Sequence, residues 1–362
     1  MKPLATVALA ILGLACLPAA SHAAGLQKDL DRLVAKGAPG AVLSVRHGDH
    51  TQQLASGLAD RDAGTKMRPS HRVRIASLTK TYTATVVLQL VGEHRLALSD
   101  SVEQRLPGLV PNGAGITVRQ LLHHTSGIAD FELDPAVLEP YLAGDLDHRW
   151  APRDLVKIAV SHPPLFTPGT RYAYSNTNYV LLGLIAEAVT GHPLEQELRA
   201  RIFTPLRLRA TSFPDAAAMP APFAHGYRVF DQPPATDITG LNPYPWAAGA
   251  MVATAHDAAR FYEALLGGRL LDRRLLREMK TTVENPGGDF KGQRYGLGLE
   301  SFPTHCGVAW GHNGDIPGFL TYAFASAGGR DVAVLTVNQD AHSLPPGAGE
   351  AFYALIEKAY CG

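Results

Sequence analysis

Ser77-Leu78-Thr79-Lys80 leads into the apolar run Val86-Val87-Leu88-Gln89-Leu90-Val91. The spacing predicts a helix that starts near Ser77 and ends near Gly92. Residues three apart share a helix face, so such a helix holds the Lys80 amine beside the Ser77 hydroxyl. A serine hydroxyl becomes a good nucleophile only when a neighbouring base takes its proton. Lysine serves as that base when burial or nearby positive charge lowers its pKa. The helix start also supplies unpaired N–H groups and a positive dipole end for a developing oxyanion. Ser-x-x-Lys also recurs by chance, and taken alone this segment favours an N-cap serine with a solvated lysine. Residues further along the chain decide between the two.

The chain has 362 residues, with 33 basic and 33 acidic side chains. That length suffices for one large or two moderate domains. The even charge balance offers no basic stripe for nucleic acid. Lys2, the apolar stretch from Leu4 to Leu17, and the small residues Ala19 to Ala24 match the pattern of a secretory signal peptide. Cleavage is expected near Ala23, giving a secreted or periplasmic protein. No other apolar run is long enough for a stable membrane span. Cys16 raises a lipoprotein alternative, which Gly13 fits poorly. Removal of residues 1–23 leaves Cys306 and Cys361, and two thiols in an exported chain favour one disulfide.

Strands are predicted at Ala41–Arg46 and Gln53–Leu58, joined by a turn at His47-Gly48-Asp49. Helices are predicted at Gln27–Lys36, Thr117–His123, Asp154–Val160, Tyr179–Thr190, Leu194–Ile202, His256–Leu266, Arg273–Lys280 and Glu350–Tyr360. Further strands are expected at Gly296–Glu300, Val308–Gly311, Leu320–Ala325 and Asp331–Val337. Strands at both ends with helices between them point to an α/β chain of the α+β type. One antiparallel sheet is flanked by helices, with an all-helical part inserted. The expected division is residues 24–76 and 246–362 for the sheet-containing part. Residues 77–245 form the helical part, with Ser77 at the junction.

Three further elements bear on chemistry. Tyr174-Ser175-Asn176 precedes an apolar helix. A phenol acts as base or proton shuttle if cations lower its pKa, and Lys80 is a candidate cation. Asn176 is placed to bind an amide. His312-Asn313-Gly314-Asp315 follows a strand-like run, where Gly314 would admit a substrate close to the backbone; Asn-Gly is also a hairpin signal. His123-His124 is a poor metal pair, because adjacent helical residues point apart, and it reads as structural. No metal or cofactor motif is found.

Ser77-x-x-Lys80, then Tyr174-x-Asn176, then His312-x-Gly314 resembles the penicillin-recognising serine hydrolases. These include class C β-lactamases, D-alanyl-D-alanine carboxypeptidases, D-aminopeptidases and related esterases. The likeness is greatest to the secreted actinobacterial carboxypeptidases and extends over nearly the whole mature chain. It implies a β-lactamase/transpeptidase-like fold. It makes Ser77 the acylated nucleophile, Lys80 and Tyr174 the paired base and proton shuttle, and Asn176 the ligand of the substrate's amide carbonyl. His312, Asn313, Gly314 and Asp315 would line the substrate, with the N–H groups of Ser77 and Asp315 as the oxyanion hole. The resemblance also implies the Cys306–Cys361 bridge, no cofactor, and a small-molecule or peptide substrate, a peptidoglycan stem peptide among the candidates. Asn313, Asp315 and Glu300 replace two hydroxyls and an arginine of the carboxypeptidase pattern. The two charge changes run against an anionic substrate end, while the activity the resemblance implies for the family remains carboxypeptidase-like. An esterase or D-aminopeptidase-like amidase for neutral or cationic substrates is the alternative, and a β-lactamase or non-turning-over penicillin sensor comes third.

Overall fold

The computed structural model describes residues 17–230, 232–242 and 244–362, with side chains from Ala23 onward. Most of the expected signal segment, residues 1–16, lies outside the described residues. Nine antiparallel strands form one sheet. They are β1 Gly40–His47, β2 His50–Asp60, β3 Thr65–Lys66, β4 Val283–Glu284, β5 Arg294–Tyr295, β6 Glu300–Thr304, β7 Gly307–Ile316, β8 Phe319–Ala325 and β9 Asp331–Val337. Their spatial order is β3-β2-β1-β9-β8-β7-β6-β5-β4. The N-terminal strands thus pair with the C-terminal ones, through Ala41 opposite Val337 and His47 opposite Asp331.

Both faces of the sheet centre are covered, so these strands read as continuous apolar runs. On one face, α1 (Leu17–Ala35) and the last helix, Pro346–Cys361, set Leu26, Leu30, Leu33, Phe352 and Ile356 against Ala41, Leu43, Val45 and Leu335. On the other, Val42, Val332 and Val334 join a larger core with α2 (Leu78–Gly92), α3 (Val118–Leu122), α4 (Pro152–Ser161), α5 (Asn176–Thr190) and α6 (Ala255–Leu266). The final helix is α7. Cys306, in the turn between β6 and β7, is disulfide-bonded to Cys361 at the end of α7, with Cα atoms 5.7 Å apart.

α2 is buried from Leu78 to Leu88 and again at Leu90 and Val91. A helix buried nearly all round lies in the middle of a protein rather than on its surface. That placement sinks Lys80 into the core and leaves Ser77 at the helix mouth. Thr117 caps α3 with its hydroxyl on the Gln120 N–H, and Gly191 ends α5 with φ 77°, as those residue types predict.

One expectation is corrected, and one open alternative falls away. Gly296–Glu300 is not a strand. Gly296 N–H donates to Leu299 O in a tight turn, and only Glu300 enters β6. Gly298 there has φ 75°, and a Cβ on it would lie 2.4 Å from Ala84 Cβ in α2. The His312–Asp315 segment is not a hairpin turn. It continues β7, paired with β8 from Trp310 opposite Ala325 to Ile316 opposite Phe319.

Candidate active site

Ser77 stands at the N-cap of α2 in helical conformation. The preceding Ala76 has φ 50°, a left-handed conformation that disfavours an alanine. Ile75 N–H donates to Met251 O and Met251 N–H to the Thr79 hydroxyl, which holds the bend from both sides. β7 closes against it. A Cβ on Gly314 would lie 2.4 Å from Ile75 O and 3.1 Å from Ala76 Cβ. The glycine therefore admits the chain's own nucleophile-bearing backbone, not a substrate.

Lys80 is fully buried. Its Nζ reaches Ser77 Oγ at 2.9 Å, Asn176 Oδ1 at 2.6 Å and Ala248 O at 2.8 Å. Burial pushes its pKa down to about 8, against the raising pull of Glu132, Asp130 and Glu300. In the neutral amine, two N–H groups satisfy Asn176 and Ala248, whose oxygens only accept. The remaining lone pair then faces the Ser77 hydroxyl, the geometry of a base.

Tyr174 OH donates to Ser77 Oγ at 3.0 Å. Lys80 Nζ lies 4.9 Å from the centre of its ring. The expected lowering of the phenol's pKa does not occur. Burial raises it well above 10, with Glu300, Tyr172 and Glu132 adding to the rise. Tyr174 thus keeps its proton and stands as the hydrogen-bond donor to Ser77 Oγ.

Asn176 opens α5, but not as expected. Its Oδ1 holds Lys80, and its Nδ2 donates to Asp130 Oδ2 at 3.0 Å and Glu132 Oε2 at 2.8 Å. Both amide hydrogens are engaged within the protein, so the amide is not free for a substrate carbonyl. Asp130 and Glu132 both have raised pKa values, chiefly through burial. This acidic pair escaped the sequence reading. Two carboxylates in Asp130-Phe131-Glu132 carry no local signal of a lysine fifty residues upstream.

His312 also departs from expectation. It is fully buried, with Nε2 2.9 Å from Tyr295 OH and Nδ1 2.5 Å from Asn313 O. Burial and Lys80 lower its pKa to about 3, so it is a neutral imidazole behind the cleft wall. Asn313 reaches Asp289 at 2.7 Å and Tyr322 at 3.2 Å through Nδ2. Its N–H donates to Glu300 Oε2 at 3.2 Å, which marks the edge of β7 left open beyond β6. Alternate residues of an antiparallel strand turn their N–H groups to the same side. The Asp315 N–H therefore faces that open edge too. The Asp315 carboxylate accepts from Ala341 N–H at 3.0 Å and lies 3.8 Å from His342. Burial raises its pKa to about 6.

Glu300 is buried, accepts from Gln293 Nε2 at 2.9 Å, and has its pKa pushed up to about 8, chiefly by burial. It therefore carries less negative charge at neutral pH than its sequence position suggested. The cleft at Ser77 has a volume of about 450 Å³. Its wall includes Tyr172, Tyr174 and Asn313 together with the acids Glu132, Asp289, Glu300 and Asp315.

The beta-lactamase family pattern matches residues 26–356. Penicillin-binding protein 4 of Amycolatopsis lactamdurans is 30% identical, covering 83% of this chain and 81% of its own. A D-stereospecific amidohydrolase from a Streptomyces species superposes with a TM-score of 0.84 at 39% identity, covering 94% of this chain and 98% of its own. The D-amino acid amidase of Ochrobactrum anthropi SV3, solved with L-phenylalanine amide, gives 0.84 at 30% identity, over 94% and 97%. With the matched family and the Ser77–Lys80–Tyr174 cluster, the chain belongs to the beta-lactamase family and is a serine hydrolase.

Proposed function

We infer that this hydrolase cleaves amides or esters whose acyl half carries a free amine. The observation that supports this is the sign of the cleft. Four acidic side chains line it, and no lysine or arginine does among the described residues. Arg228, in the adjoining cavity, faces Asp340 at 3.6 Å. An ammonium group next to Glu132 would draw that carboxyl back toward its charged form. An anionic substrate end finds no cation to pair with, so the carboxypeptidase expectation has the weaker support. The amidohydrolase and amidase likenesses point the same way.

The chemistry follows from the cluster. Neutral Lys80 takes the Ser77 proton as Oγ attacks the carbonyl carbon. The oxyanion meets the N–H groups of Ser77 and Asp315. Tyr174 passes its proton to the departing amine or alcohol and is reprotonated through Lys80. Water then attacks the acyl-enzyme by the reverse proton path, releasing the acid and free Ser77. Export after cleavage near Ala23, and access there to cell-wall peptides, belong to the same proposal and rest on the N-terminal pattern. Among the described residues, no helix is long and apolar enough to cross a membrane.

The test compares alanine amide in both hands with its N-acetyl derivative and with an N-acyl-D-alanyl-D-alanine peptide. The free amine is expected to raise kcat/KM at least tenfold over the acetylated amide, and Ser77→Ala to abolish all turnover. A tenfold preference for the acylated D-alanyl-D-alanine peptide would overturn the reading and restore the carboxypeptidase.

A further inference from the structure

Glu132 and Asp315 each stand in the walls of two cavities. One is the cleft at Ser77. The other, of about 440 Å³, lies between the helix Pro135–Leu142, the residues Arg228, Phe230, Ile238, Leu241 and Tyr244, and the turn after β7. It falls in the size range of small-molecule sites. One side of its wall is of a different kind, built from Leu138, Tyr141, Leu146, Ile238, Leu241 and Tyr244, with Asp340 and His342 beside the shared acids. The Tyr141 and Tyr244 rings lie 5.4 Å apart. Tyr141 OH is spent on His148 O at 3.0 Å, so the ring itself is what this residue offers to the cavity. At the mouth, Leu142 is 76% and Phe230 56% exposed. The one arginine of the wall, Arg228, is paired with Asp340.

We propose that this annex holds an apolar side chain on the acyl half of the substrate. The enzyme then selects amine-bearing amides or esters with a large aliphatic or aromatic group over those with a small one. This deepens the reading above and rests on it. An acyl carbon next to the scissile carbonyl carries both the amine and the side chain. With the carbonyl at Ser77 and the ammonium at Glu132, the remaining substituent has the annex beside it, because Glu132 borders both spaces. Moving that substituent from water onto the leucine and tyrosine wall supplies binding that the acidic cleft cannot give. The leaving group takes the opposite side, toward Asn285–Asp289.

The experiment uses glycine, alanine, leucine and phenylalanine amides in both hands, a second series varying only the leaving amine, and a fluorophosphonate label for Ser77. From methyl to benzyl side chain, kcat/KM is expected to rise at least tenfold in one hand. Leu138→Asp and Leu146→Asp alter side chains that are 37% and 38% exposed, so each tolerates a polar residue. Each is expected to lower the benzyl-to-methyl ratio of kcat/KM at least fivefold. A purely structural role would move both substrates together and leave the ratio fixed, and that result overturns the proposal. A flat acyl series from an enzyme whose Ser77 labels also overturns it while the hydrolase stands, as does a response confined to the leaving-group series. Failure of Ser77 to label, with no turnover of any amide, overturns both readings.

Discussion

The His124 imidazole lies against the Tyr174 phenol, ring centroids 4.3 Å apart and planes inclined by 29°. His124 also holds both neighbours of that tyrosine. Its carbonyl accepts from Ala173 N–H at 3.0 Å, and its Nδ1 accepts from Ser175 N–H at 3.1 Å. Asn178 Nδ2 approaches the same Nδ1 at 3.2 Å. Nδ1 is thus an acceptor, which places the ring proton on Nε2. Burial, with Lys80 and His312 nearby, keeps the ring neutral, its pKa well below 6.5. The clamp is an arrangement for aiming Tyr174 OH at Ser77.

Loosening that clamp is expected to cost rate rather than binding. His124→Phe keeps a ring but loses the Nδ1 acceptor; His124→Asn keeps an acceptor and tolerates the φ of 57° but loses the stack. A displacement of about 1 Å at a catalytic group costs on the order of 10²-fold. Each variant is expected to lower kcat by roughly 10–100-fold with KM nearly unchanged, read by steady-state kinetics beside circular dichroism. Wild-type kcat in a folded His124→Phe enzyme would show that the contact does not position Tyr174.

Acylation should follow the charge on Lys80. Above about pH 8 the amine is neutral and its lone pair faces Ser77. Below it, the third proton occupies that direction. Acylation kcat/KM for a neutral, non-titrating ester is therefore expected to rise about tenfold per pH unit up to pH 8 and then level off. Lys80→Arg, charged at every working pH, should lose roughly 10²–10⁴-fold. A flat profile between pH 6 and 9 would take the base role away from Lys80.

Stability should follow the buried acids in the opposite sense. The folded pKa of Glu300 is raised from 4.5 to about 8. The native state then binds the extra proton between those values, and stability falls as pH rises across that window. His312, lowered from 6.5 to about 3, works the other way. The unfolded chain binds its proton below pH 6.5, so this contribution grows with pH up to that point. The two oppose each other below pH 6.5; from there to about pH 8 the loss continues, with Glu132 adding to its sign, and above pH 8 the lowered pKa of Lys80 works against it. From pH 6.5 to 8 the share of this loss that belongs to Glu300 is about 2 kcal/mol. Denaturant unfolding of wild type and Glu300→Gln checks this: the variant should show a shallower decline, and an equal slope in both would remove Glu300 as its source.

The sequence spoke most clearly where chemistry is local. Ser77 and Lys80 lie one helical turn apart, so their contact follows from helix geometry alone. The strands from Ala41 to Arg46 and from Asp331 to Val337 were legible because burial on both faces leaves uninterrupted apolar runs. Tyr174 was legible in order and spacing, but not in charge state. Its pKa depends on burial by residues far apart in the chain, and that outweighs the nearby lysine. His312 and Gly314 were found but misassigned. A motif at a strand end does not show which face turns to the cleft and which to the core. Asp130 and Glu132 were invisible, because only the packing of their loop onto α5 brings them to Asn176. His124 was read as a structural residue, and nothing local distinguished a helix-end histidine from one stacked on a tyrosine fifty positions away.

Gly314→Ala tests how the sheet and α2 share the nucleophile. The added methyl would sit 2.4 Å from Ile75 O, a backbone atom, and 3.1 Å from both Ala76 Cβ and Leu78 Cδ1. Backbone at that distance cannot swing aside as a side-chain tip does, so β7 and the Ile75–Ser77 bend must separate. Overpacking of this kind costs about 1–3 kcal/mol. The same separation draws the Ser77 N–H away from the Asp315 N–H, which lies one residue beyond the new methyl. Loss of one oxyanion donor costs on the order of 10²–10³-fold in kcat. The variant is therefore expected to fold with a lowered unfolding midpoint and to lose at least 10²-fold in kcat. Reactivity of Ser77 toward a fluorophosphonate should fall alongside, since that reaction also builds charge on an oxygen in the same place. A variant that is destabilised as expected but turns over at the wild-type rate would place the oxyanion hole elsewhere.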